Sequence, residues 1–148
     1  MFGTPMARLF SRMTHVVPVG PERAALSSLA TGALVLRRGQ TLIWFPEGGR
    51  WRTGELQPFQ PGIGVLLDHL EAPVVPVFIH GTARAMPRGR VVPRAVPVTV
   101  VFGRPLDPRR LAARGRGDDA AHRIAEALHA AVAELGRQPA RDAARTAA

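Results

Sequence analysis

A short apolar run, Thr41-Leu42-Ile43-Trp44, ends abruptly at Phe45-Pro46-Glu47-Gly48-Gly49-Arg50. The run reads as a buried strand, and Pro46 stops it because proline has no N–H to give a ladder. A carboxylate, two glycines and an arginine then follow within four residues. Glycines permit a tight turn that exposes backbone N–H groups, and such turns suit anions. Arg50 adds a planar guanidinium fork matched to phosphate. A strand end carrying this cluster reads as a site for a phosphorylated substrate.

The rest of the chain alternates strand and helix patterns. Met6, Leu9, Phe10 and Met13 have helical spacing and predict a short amphipathic helix over 5–13. His15–Val19 reads as a strand, and Pro21 opens a helix that Gly39 stops near Arg38. Ile63, Leu66, Leu67 and Leu70 predict a helix over 61–70. Val74–Ile79 is almost continuously apolar, which fits a strand buried on both faces. Arg84–Arg94 is a basic, proline-bearing loop, Val96–Phe102 a further strand, and Leu106–Leu111 a short turn or helix. Asp118 to Leu135 reads as a helix, with Asp118 and Asp119 suited to its positive N-terminal end and a stripe of Ile124, Leu128, Val132 and Leu135. The alternation predicts an α/β fold with a mixed, mainly parallel sheet flanked by helices.

At 148 residues the chain suits one domain with a modest core. It has no cysteine, so disulfides and cysteine metal sites are excluded. The five histidines are dispersed, and no metal site is expected. No segment reaches the ~18 apolar residues of a spanning helix. The net charge is +9 with no lysine, every cation being arginine. That composition fits biased codon usage or attraction to anions such as phospholipid headgroups or nucleic acid. There is no Gly-x-Gly-x-x-Gly and no P-loop, so no nucleotide cofactor is expected.

Phe45–Arg50 is similar to the Phe-Pro-Glu-Gly-Thr-Arg block of the glycerolipid (lysophosphatidate) acyltransferases. Gly54–Gly62 resembles that family's Gly-x-Leu-x-Pro-Phe-x-x-Gly connector, and Val75–Ile79 with Gly81-Thr82 its later Val-Pro-Val block. The resemblance runs from Phe2 to Leu111. It implies transfer of a fatty acyl group from acyl-CoA or acyl-ACP, as co-substrate, to a lysophospholipid or glycerol-phosphate hydroxyl. It further implies that Arg50 contacts the acceptor phosphate, that Glu47 organises the acceptor site, and that Gly48 and Gly49 shape the turn. Gly49 stands where the family usually has Thr, and Trp51 where it often has Ser, which removes hydroxyl donors. A surface turn in which Glu47 and Arg50 merely pair is the simpler alternative. His15–Arg23 occupies the place of the family's second block, where Arg23 or His15 would supply a further phosphate contact; a strand leading into a helix is equally compatible. Pro76 would shape the pocket by resemblance, or serve the strand alone.

The family's base is a histidine in a His-x4-Asp block. Here His15, His69, His80 and His122 are followed at the fifth place by Gly20, Val74, Ala85 and Ala127. His129 is followed by Glu134, within the last helix, where a solvated coincidence of spacing is the expectation. No catalytic residue is therefore assigned. Residues 1–136 read as a partial acyltransferase domain whose N-terminal catalytic block is missing, and 137–148 as a flexible tail. The isolated chain is expected to be inactive, peripheral at the cytoplasmic face of an anionic membrane, and prone to self-association through an uncovered apolar patch. The rivals are a non-catalytic anionic-lipid-binding module and a basic nucleic-acid-binding protein. Few aromatics and no recognition motif argue against the latter, and no nucleic-acid partner is expected.

Overall fold

The computed structural model describes residues 24–49, 55–87 and 92–137. The expected helix over 5–13 and strand over 15–19 lie outside these residues. Helix α1 (Ala24–Arg37) ends where its sequence predicts. Gly39 has φ 69°, its N–H donates to Leu36 O at 2.9 Å, and Gln40 N–H donates to Val35 O at 3.2 Å. This pair of bonds is a Schellman cap, which satisfies carbonyls the helix leaves open.

Helix α2 (Gly62–Leu70) buries Ile63, Leu66 and Leu67 of the expected stripe and leaves its last member, Leu70, half-buried. Glu71 closes it in the left-handed region, at φ 50°. Strand β1 (Val77–His80) leads through Gly81 into a short helical turn, α3 (Thr82–Ala85), at the start of the segment read as a loop. Strand β2 (Thr99–Phe102) follows. Asp107 caps α4 (Pro108–Arg114) by accepting from Arg109 N–H at 2.7 Å, with Pro108 in the first turn. Asp119 does the same for α5 (Ala120–Arg137), accepting from His122 N–H at 2.8 Å. The stripe Ile124, Leu128, Val132 and Leu135 is buried as predicted.

The core gathers Ile63 and Leu67 of α2, Leu111 of α4, and Ile124, Ala125 and Leu128 of α5. Trp44, Phe59, Val74 and Leu106 pack on its margin. Helices α2 and α5 make the most extensive contact between elements. They come so close because α2 carries glycine at the crossing: a Cβ on Gly64 would lie 1.8 Å from Ala121 O.

The strand pairing among the described residues does not confirm a mainly parallel sheet. The ladder among the described residues is antiparallel, with Val77 opposite Phe102 and His80 opposite Thr99. An isolated bridge, Val74 to Leu106, extends it. Between the two pairings the second strand carries one residue more than the first, in Gly103-Arg104-Pro105, so the edge is bulged there. Gly103 N–H donates to Pro76 O at 2.8 Å. A mainly parallel sheet is thus not what this pairing shows; an apolar run signals a strand without fixing the direction of its neighbour. Residues 41–45, expected as a buried strand, form no ladder with any described residue. Their exposure alternates: Leu42 and Trp44 turn toward Gly32 of α1, while Ile43 (80% exposed) and Phe45 (73%) face solvent.

Nor is the strand over 74–79 buried on both faces. Phe78 packs against α5, within 2.6 Å of where a Cβ on Gly136 would lie, and its ring meets His80 at 4.6 Å. The opposite face, with Val75, Val98, Val100 and Phe102, is exposed.

Candidate functional site

The Glu47 turn is held from three directions. Gly48 takes φ 71°, a conformation that glycine adopts without strain. Its N–H reaches back to Phe45 O at 3.4 Å. The Glu47 carboxylate, half-buried, accepts from the backbone N–H of Gln57 through Oε2 at 2.9 Å. Gln60 N–H donates to Pro46 O at 2.9 Å. A Cβ on Gly48 would sit 3.3 Å from Gln60 Cγ, so turn and connector are in contact.

The connector is in turn anchored in the core. Phe59 meets the ring of His129 edge-on, with centroids 5.0 Å apart and planes at 84°. Pro61 and Gly62 then begin α2 directly. The turn therefore lies beside the N-terminus of α2, the end whose backbone dipoles favour negative charge. Gly49 faces open space, with nothing within 4 Å of where a Cβ would lie.

Of the residues singled out in the sequence, Glu47, Gly48 and Gly49 are brought together. Arg50 and Arg23 lie outside the described residues. Pro76 is buried, and its contacts run to Gly103, on the sheet edge. Glu47 does more than sequence reasoning assigned, because its carboxylate ties the turn to Gln57. Gln57 was missed; the contact uses its main chain, which no side-chain pattern reveals.

His129 also departs from expectation. It is not solvated: it turns inward to Phe59, and its Nε2 is buried without a hydrogen-bond partner among the described residues. Glu134 points elsewhere and pairs with Arg137. The signal was available, since His129 adjoins Leu128 and follows Ala125 by one helical turn, at the border of the buried stripe. His80 Nε2 is likewise buried without a partner among the described residues.

Among the described residues no helix is long and apolar enough to cross a membrane.

Comparison with known proteins fits this arrangement. The chain is similar to 1-acyl-sn-glycerol-3-phosphate acyltransferases from Limnanthes douglasii (36% identity over 69% of this chain) and Cocos nucifera (33% over 58%). It spans only 37% and 28% of the length of those relatives. Its structure resembles the crystal structure of the 1-acyl-sn-glycerophosphate (LPA) acyltransferase PlsC from Thermotoga maritima, with a TM-score of 0.65 and 27% identity. That match covers 93% of this chain and 54% of the other. An Acyltransferase family model matches residues 1–80, more than half of the sequence, and the chain belongs to that family.

Proposed function

We propose that this chain forms the acceptor side of an acyltransferase that moves a fatty acyl group from acyl-CoA or acyl-ACP to the hydroxyl of a lysophosphatidate or glycerol phosphate. The carrying observation is the clamped turn, in which Glu47 holds Gln57 while the Gly48-Gly49 bend lies beside the start of α2. In this reading Arg50 takes the acceptor phosphate by its fork, with Arg23 as a second cation and the α2 dipole in support. Glu47 is a positioning residue, since its carboxylate is engaged by a backbone donor and a bare carboxylate would repel phosphate. Pro76 acts at the wall of the pocket.

The transfer requires a base to take the acceptor hydroxyl proton as that oxygen attacks the thioester carbonyl, donors for the oxyanion that develops, and return of the proton to the thiolate expelled as the C–S bond breaks. No histidine of this sequence carries the His-x4-Asp pattern. The 148-residue chain alone accordingly binds acceptor without turnover, and acts peripherally at the cytoplasmic face of an anionic membrane. The missing pattern also favours a second reading, a module that binds anionic lipid and catalyses nothing.

Titration calorimetry with a short-chain lysophosphatidate, against the parent and Arg50→Ala, tests acceptor binding. A loss of about tenfold or more in affinity is expected for removing one charge-assisted phosphate contact. Equal affinities would refute the acceptor assignment. Turnover by the isolated chain at the rate of a complete enzyme would refute the assigned lack of a base.

A further inference from the structure

We propose that the uncovered face of the β1–β2 sheet is an interfacial surface that lies on an anionic lipid bilayer. The proposal rests on the reading of this chain as acting on lipid, and names the face by which it meets its substrate's membrane.

The first observation is geometric. Val98, just before β2, and Val100 and Phe102 within it alternate with Thr99 and Val101, and all three are exposed, at 48%, 45% and 70%. Ile79 and Val77 stand opposite Val100 and Phe102, so their side chains share that face. Val75 continues it at 45% exposed. The other face packs on α5 through Phe78. Solvent thus meets a wholly apolar face built by two strands, where an antiparallel sheet normally shows polar residues. Contiguous apolar surface of this kind marks an interaction site.

The second observation concerns charge and is independent of the first. From Ala72 to Leu106 the sequence has five arginines and no acidic residue. Arg84 and Arg94 are exposed near one end of the face, where Gly81 touches Pro97 and Arg94 N–H closes the loop on Ala85 O at 2.7 Å. Arg104 is exposed at the other end, two residues past Phe102. Arg88 and Arg90 belong to the same run and lie outside the described residues. Val92 (73% exposed) and Met86 (38%) add apolar side chains to the loop between them.

Apolar side chains with exposed arginines at both ends match a bilayer of anionic headgroups over acyl chains; beyond the Arg104 end Glu71 and Asp107 lie beside Pro105 and Leu106, and Glu71 is paired with Arg109. Each part needs the other: apolar insertion gives depth, and the arginines give selectivity for negative lipid. An apolar protein partner would account for the valines and Phe102 but would not call for a stretch cleared of acids.

The test is co-sedimentation of the full 148-residue chain with vesicles of phosphatidylcholine alone or with phosphatidylglycerol added. Phe102→Ser, at an exposed position and without a charge change, is expected to weaken binding to the anionic vesicles about fivefold or more. The double variant Arg94→Glu/Arg104→Glu is expected to lose about tenfold or more, and the preference for anionic vesicles with it. Arg110→Glu/Arg114→Glu on α4 has the same net charge and serves as control; it should retain most of the binding. Equal losses from the two double variants would overturn the proposal, reducing it to bulk charge. So would unchanged binding by Phe102→Ser. If sedimentation velocity shows a dimer without vesicles that Phe102→Ser converts to monomer, while vesicle binding is unchanged, the face joins two copies and the lipid assignment fails. None of these readouts uses turnover or soluble acceptor, so they stand or fall separately from the Arg50 test.

Discussion

Replacing Gly64 by alanine sets two physical effects against each other. Gly64 lies inside α2, where alanine is favoured over glycine by about 1 kcal/mol on intrinsic propensity. The crossing with α5 opposes it. The new Cβ would lie 1.8 Å from Ala121 O, 2.6 Å from its carbonyl carbon and 2.9 Å from its Cα. All three obstacles are backbone atoms of a long helix, so no rotamer change relieves them, and the helices must part by roughly 1 Å. A gap of that size forfeits roughly a quarter to a half of the dispersion energy of each facing atom pair. Overpacking in a core costs about 1–3 kcal/mol, and more when the backbone itself must move. The net expectation is a loss of about 2 kcal/mol after the propensity gain. In urea, with a slope of about 1–3 kcal/mol/M, the midpoint should fall by roughly 1 M. Far-UV circular dichroism follows the helices, and the fluorescence of Trp44, which packs on the same core, reports tertiary structure. Gly62→Ala is the control, because a Cβ there meets only Leu29 at an ordinary 3.4 Å. A Gly64→Ala midpoint equal to or above that of the parent would refute the close-crossing argument.

Four further outcomes are expected. Ile124→Ala, at a position only 1% exposed, should destabilise by about 2–5 kcal/mol in the same urea assay; a loss below about 0.5 kcal/mol would mean the core is not centred there. Glu47→Ala leaves Gln57 N–H without its acceptor and should cost about 1–3 kcal/mol, with faster amide exchange at Gln57; unchanged exchange would show that the clamp does not hold in solution. Glu71→Gly should raise the midpoint, because glycine relieves a left-handed residue of roughly 1 kcal/mol, and a fall would show that the exposed pair with Arg109 matters more. The Asp119 carboxyl is held below its ordinary range first by the His122 N–H and then by the His122 side chain. A depressed folded value means its stabilisation is present above the unfolded value and disappears as pH falls through the folded one. Asp119→Asn should therefore soften the acid limb of stability below about pH 4, and parallel acid limbs would contradict this.

The helices were legible because their periodicity is physical: α2 and α5 bury the residues that recur at 3.6-residue spacing. The caps were legible too, Gly39 as a helix stop and Asp119 at a helix start. The sheet was harder. Val74–Ile79 announces a strand, but near-continuous apolarity does not say whether one face or two is covered, or which way the partner runs. Antiparallel pairing with β2 and an exposed Val100 and Phe102 follow from tertiary placement. Of the candidate site, the glycine turn could be read directly, whereas the Glu47–Gln57 bond joins a side chain to a main-chain group ten residues on. His129 was misplaced because spacing from Glu134 was weighed, while its position beside the buried stripe was not.

The edge-on contact of Phe59 with His129 has a consequence for the order of synthesis. The connector that braces the acidic turn leaves the ribosome early, yet the ring that seats it belongs to the last helix. Chains are made from the N-terminus at roughly 5–20 residues per second. The turn must therefore spend seconds with Phe59 unseated before α5 emerges. During that interval Glu47 and Gln57 can meet locally, but the brace that fixes them to the core does not exist. Stop codons within α5 should thus unsettle a turn encoded about half of the chain earlier.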